Sequence, residues 1–133
     1  MKLTNEMKYL IAFCYQDDNA LRYEFIFDKT NNYFAVRFFM NEYNYLYVEF
    51  DKTTPYIVHV REWEVVKSHY HPSDRCTYMN KYMKKYRNND KTCTLKIQEL
   101  TKVLNKIPKP QGFTHDRVSY RPWRDVRRAS GRY

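Results

Sequence analysis

Large apolar side chains alternate with period two through much of the first half of the chain, and this rhythm limits the possible fold more tightly than any other feature. In Leu21-Arg22-Tyr23-Glu24-Phe25-Ile26-Phe27 the odd positions are large and apolar. Phe34, Val36, Phe38 and Met40 share one face of the next run, with Ala35 and Arg37 on the other. Leu46, Val48 and Phe50 then oppose Tyr45, Tyr47 and Glu49, and Val58 with Val60 opposes His59 and Arg61. Successive side chains of a strand point to opposite faces, so this is the pattern of half-buried antiparallel strands. The chain has only 2 glycines, Gly112 and Gly131. The turns therefore fall to Asn and Asp, which tolerate left-handed backbone and bond to their own chain. An antiparallel β-meander of about four or five strands over residues 20–66 is expected.

One local echo supports hairpin turns. Phe27-Asp28-Lys29-Thr30-Asn31-Asn32-Tyr33 returns as Phe50-Asp51-Lys52-Thr53-Thr54-Pro55-Tyr56, each copy where one strand ends and the next begins. Two similar turns explain this better than a duplicated unit. The opening stretch, Asn5 to Gln16, fits either a strand or a helix.

After Trp63 the period changes. Pro72-Ser73-Asp74 is a helix-start signal, followed by Cys76, Met79, Met83 and Tyr86 at three- and four-residue spacing. Lys67-Ser68 and Pro72 read as loop. A second helix is expected from about Leu95 to Ile107, with Ile97, Leu100, Leu104 and Ile107 as its apolar stripe and Pro108 as its stop. Its first part, Cys93 to Ile97, also fits a strand. The fold class is α+β: a meander, two helices packed on one face, and an extended Arg-rich tail. The domain reading is one α+β domain over residues 1–112 and a basic, aromatic arm over 113–133.

Charge divides the chain in two. Residues 1–66 carry 7 Lys and Arg against 10 Asp and Glu, whereas residues 67–133 carry 17 against 5. A one-signed field of that size exceeds what solubility requires and attracts a polyanion, most commonly a phosphate backbone. Lys81, Lys84, Lys85 and Arg87 would steer such a partner. Residues 113–133 hold six Arg and no Lys, with Phe113, Tyr120, Trp123 and Tyr133 between them. Arg117, Arg121, Arg124, Arg127 and Arg128 with Trp123 would dock it, because guanidinium groups fork onto phosphate and stack on bases. The expectation is a small basic protein that binds DNA, RNA or a nucleoprotein assembly without catalysis. The rival is a virion-structural or host-interaction protein whose tail docks on a protein partner or a second copy. Abundant Tyr, Phe, Lys and Asn with scarce Gly fit an AT-rich coding sequence, such as many phages and viruses have.

Other features narrow the classes. Tyr9 to Cys14 is too short for a signal core and runs into Asp17-Asp18, and no apolar run approaches the roughly 20 residues of a membrane-spanning helix. Cys14, Cys76 and Cys93 are odd in number and widely spaced, which argues against a disulfide framework and for a reducing, cytoplasmic setting. No membrane partner and no cofactor are expected. A phosphate-cradling glycine loop is impossible with Gly112 and Gly131 alone. Tyr43, Tyr45 and Tyr47 share one strand face, expected to form a second core beneath the helices rather than a base-stacking surface.

His69-Tyr70-His71 is the most distinctive local cluster. His-x-His on a strand places two imidazoles on one face, where they can hold a divalent metal such as Mg²⁺. With Tyr78 and Tyr82 each three residues before a lysine, the segment resembles the His-hydrophobe-His replication-initiator and transposase endonucleases, over His69 to Lys85 only. That resemblance implies a metal-dependent nuclease, with His69 and His71 as ligands and Tyr78 or Tyr82 as nucleophile. The same stretch offers a zinc set of His69, His71, Cys76 and Cys93, with His115 in reserve. It lacks the paired Cys-x-x-Cys spacing of most structural zinc sites, and both cysteines lie on apolar positions.

Overall fold

The computed structural model describes residues 2–16 and 21–108. It is an antiparallel sheet with helices on one face. The ambiguous opening stretch is a helix, α1 (Asn5–Cys14), started by Thr4, whose Oγ1 accepts the Met7 N–H at 3.1 Å. Four strands follow as a meander: β1 (Arg22–Asp28), β2 (Tyr33–Phe39), β3 (Asn44–Phe50) and β4 (Ile57–Val66). Two short strands then share the far edge of the long β4. β5 (His69–Pro72) pairs with its C-terminal half and β6 (Cys93–Lys96) with its N-terminal half. Between them the chain leaves the sheet for α2 (Thr77–Tyr82) and a 3₁₀ turn at Lys84–Tyr86, and α3 (Ile97–Lys106) follows β6.

Register shows why the alternation works. Phe25 faces Val36, Val36 faces Val48, Val48 faces Val60, and Val60 faces Cys93, so one buried row crosses five strands. Leu10 and Phe13 of α1, Met79 of α2, and Leu100 and Leu104 of α3 close over that face in a single core. Tyr9 of α1 also reaches Thr101 of α3, hydroxyl to hydroxyl at 3.4 Å. No helix among the described residues is long and apolar enough to cross a membrane.

The repeated Phe-Asp-Lys-Thr segments are two hairpin turns, and each is organised by its aspartate. Asp28 accepts the Asn31 N–H at 3.2 Å, and Asn32 takes the left-handed conformation at φ 51°. Asp51 accepts from the Thr53 hydroxyl at 2.9 Å and the Thr54 N–H at 2.9 Å, and lies 2.8 Å from His59 Nε2. The His59 contact, then those from Thr53, hold the Asp51 carboxyl well below the usual carboxylate range.

Three expectations need correction. The helix expected from Pro72 is short, because Cys76 sits in the left-handed region at φ 48°, ψ 48° and α2 cannot begin before it. Its other end breaks at Met83, φ −129°, into the 3₁₀ turn. Cys93–Lys96, open to either reading from the sequence, is strand, drawn into the sheet by the β4 edge, and α3 begins at Ile97. Lys67-Ser68, read as loop, is a tight two-residue turn with both residues at positive φ (51° and 68°), but Pro72, also read as loop, ends strand β5. The face carrying Tyr45 and Tyr47 has no helix over it among the described residues, because the helices cover the opposite face of Phe, Val and Leu.

Candidate nucleic-acid interface

The excursion between β5 and β6 carries the lysines singled out from the sequence. It is anchored through Glu62 of β4, which is buried and reaches under the start of α2. One carboxylate oxygen accepts the N–H groups of Tyr78 and Met79, each at 3.0 Å. The Cys76 N–H is taken by Ser73 Oγ at 3.0 Å, and the Ser73 N–H by the Glu62 carbonyl at 2.8 Å. Burial pushes the Glu62 carboxyl above its ordinary value, while the backbone N–H groups of Met79 and Tyr78 pull it down. Met79 and Met83 point into the core, so Lys81, Lys84 and Lys85 face solvent. Among the described residues none of the three forms an ion pair; the Lys81 and Lys85 ammonium groups lie over the rings of Tyr82 and Tyr86 at 5.5 and 5.1 Å. Arg87 is turned inward and donates to the Asp90 carbonyl, clipping the turn that leads to β6. Arg117, Arg121, Trp123, Arg124, Arg127 and Arg128 lie outside the described residues, as does His115.

A second surface lies on the open face of the sheet; the sequence pointed to Tyr45 and Tyr47 there, but as part of an expected second core, and not to Arg37, Arg61, Trp63 or Tyr70 beside them. Its cross-strand rows are chemically distinct. Glu24 faces Arg37, Arg37 faces Tyr47, and Tyr47 faces Arg61; one position along, Phe39 faces Tyr45, and Tyr45 faces Trp63. The Tyr45 and Trp63 ring planes are parallel to within 6°, with centroids 6.0 Å apart. Tyr70 of β5 packs its edge on Tyr45 at 4.8 Å, and the Arg37 guanidinium lies 5.4 Å over the same ring while pairing with Glu24. At the other end of the surface the Tyr33 hydroxyl contacts the Tyr47 hydroxyl and donates to Glu49 at 3.0 Å. Burial, then the Tyr47 contact, raises the Tyr33 hydroxyl far above the usual phenol range, so it stays a donor. These side chains enclose a half-open pocket of about 570 Å³. Trp63 could have been placed beside Tyr45 from the alternation of β4; Tyr70 could not, because no turn signal announces the hairpin that carries it.

No protein-family model matches this chain, and neither a curated protein nor a solved structure matches it.

The histidine cluster is partly assembled. His69 and His71 sit on one face of β5, opposite Val66 and Glu64 of β4, and both are exposed. Tyr78 is engaged elsewhere, its hydroxyl accepting from Asn41 Nδ2 at 2.9 Å, and its ring stacks on Tyr82 with centroids 6.3 Å apart. Cys76 and Cys93 are buried, the Cys76 thiol donating to the Ser73 carbonyl at 3.2 Å. Burial pushes the Cys93 thiol up to about 11, away from the thiolate a metal requires. Among the described residues no three His, Cys, Asp or Glu side chains converge on a point where a metal ion would sit.

Proposed function

We propose that the protein binds nucleic acid, alone or within a nucleoprotein assembly, through the lysine-rich excursion and the Arg-rich arm that follows α3. The observation that carries this reading is the charge arrangement of the excursion. Lys81, Lys84 and Lys85 are solvent-facing, carry no carboxylate partner among the described residues, and ride on a segment fixed to the core by Met79, Met83 and the Glu62 carboxylate. Fixed, unneutralised lysines suit a phosphate backbone, whose affinity comes from release of condensed counterions. The arm would then dock through Arg117, Arg121, Arg124, Arg127, Arg128 and Trp123. Three free, buried cysteines suit a reducing compartment.

Salt titration tests it. The log of the binding constant should fall with log salt at a slope of several units, roughly 0.7–0.9 per phosphate contacted. Reversing Lys81, Lys84 and Lys85 together to Glu should weaken binding to every sequence alike and flatten the slope. A salt-independent response, or no binding to DNA or RNA at low salt, would favour the arm docking on a protein. Mg²⁺- or Mn²⁺-dependent cleavage lost in His71→Ala would make the protein a nuclease.

A further inference from the structure

We infer that the pocket on the open face of the sheet receives an unpaired nucleobase, so that the protein prefers single strands to duplex. This rests on the nucleic-acid reading above and specifies its form. The walls combine aromatic faces (Phe39, Tyr45, Trp63, Tyr70) with the guanidinium groups of Arg37 and Arg61. A nucleotide presents a flat π surface and an anion together, which is what these walls match. Stacking on an aromatic platform requires a base free of its partner, which a duplex does not offer. The volume, about 570 Å³, lies in the range of small-ligand sites.

Several acidic groups of the first half are paired or turned away from this pocket. Glu24 is tied to Arg37, and Asp51 to His59. Glu62 turns to the other face under α2, and Glu64 pairs with Arg75 at 3.2 Å. Among the described acidic residues Glu49 alone lines the pocket, where it accepts the Tyr33 hydroxyl. Against it stands Arg61, exposed and without an ion pair among the described residues. Two further donors of lining residues, Trp63 Nε1 and Arg37 Nε, are buried with no acceptor.

Photocrosslinking with the full native chain tests the assignment. A single strand of deoxythymidine carrying 5-bromodeoxyuridine is irradiated with the protein, and adducts are located by mass spectrometry. The same strand annealed to its complement is run alongside. The single strand should label Trp63, Tyr45 or Tyr70, and the duplex should not. Arg61→Ala should weaken single-strand affinity about tenfold and leave duplex affinity within about twofold, the scale of one lost base contact. Labelling confined to Tyr82, Tyr86 or the arm, or an Arg61 variant that weakens both forms equally, would overturn the pocket assignment and leave the lysine reading standing. Failure to bind either form at low salt would overturn both.

Discussion

The two faces of one sheet are built from the same strands and do opposite work. On the covered face the rows are hydrocarbon, Phe25–Val36–Val48–Val60, and helices α1, α2 and α3 close over them. On the open face the rows are tyrosine, tryptophan and guanidinium, packed against one another with no helix above them among the described residues. Aromatic residues can stand at such a surface because each has an apolar body and, in Tyr and Trp, a polar edge that accepts solvent or a ligand. Burial alone does not separate the faces, since Tyr45 is only 6% exposed. What separates them is whether the neighbours are mostly hydrocarbon or carry donors and charge.

The largest expected effect tests the covered face. Phe38 is fully buried, in the same core as Leu10 of α1 and Leu100 of α3. Phe38→Ala should lower the unfolding free energy by about 4 kcal/mol through lost burial and the cavity left behind. A loss below about 1 kcal/mol, measured by urea denaturation, would show that this face is loosely packed and break the comparison.

Among the described residues Glu62 is the one fully buried carboxylate, and it holds the lysine excursion. Glu62→Ala leaves the N–H groups of Tyr78 and Met79 without their acceptor and should cost about 2 kcal/mol. The pH dependence follows from the sign of its shift. A carboxyl raised above its ordinary 4.5 by burial stabilises the fold most fully below that value, and the contribution is lost as pH rises through the folded-state pKa. Glu62→Gln, which keeps an acceptor oxygen but cannot ionise, should therefore lose less stability than the wild type on going from pH 4.5 to pH 7. Parallel pH curves for the two proteins would show that Glu62 ionises without strain.

Much of this was legible before the structure. The covered row could be read because period two needs only residue types, and register then follows from the hairpins. The Glu24–Arg37 pair was within reach by the same logic. Strand β5 was not legible, because its turn is Lys67-Ser68, where positive φ at both positions normally selects Asn-Gly. The start of α2 was hidden for a similar reason: nothing in Pro72-Ser73-Asp74-Arg75-Cys76 announces a left-handed cysteine. The covering of the faces was misread because tyrosines and valines are both large, and a single sequence does not say which side its helices choose. The Lys67-Ser68 turn gives the next prediction. Lys67→Asn with Ser68→Gly should raise stability by roughly 1 kcal/mol by relieving left-handed strain. No gain would mean that the hairpin is held mainly by Trp63, Tyr45 and Tyr70 on the open face.

The smallest expected effect sharpens the comparison most. Arg61 projects from the middle of β4 on the open face, exposed, facing Tyr47 across the strands, with no ion pair among the described residues. A surface cation with no partner contributes little to folding, so Arg61→Ala should change the unfolding free energy by less than about 0.5 kcal/mol. Its stem could still cover part of the neighbouring rings, and that packing is the competing explanation. Arg61→Met keeps the stem and removes the charge, so the two explanations separate: if packing mattered, Met would restore stability that Ala loses. If both variants fold as the wild type does, the guanidinium is held at that position for something other than the fold. A single-strand affinity lowered equally in both variants would then place its role in contact with the ligand.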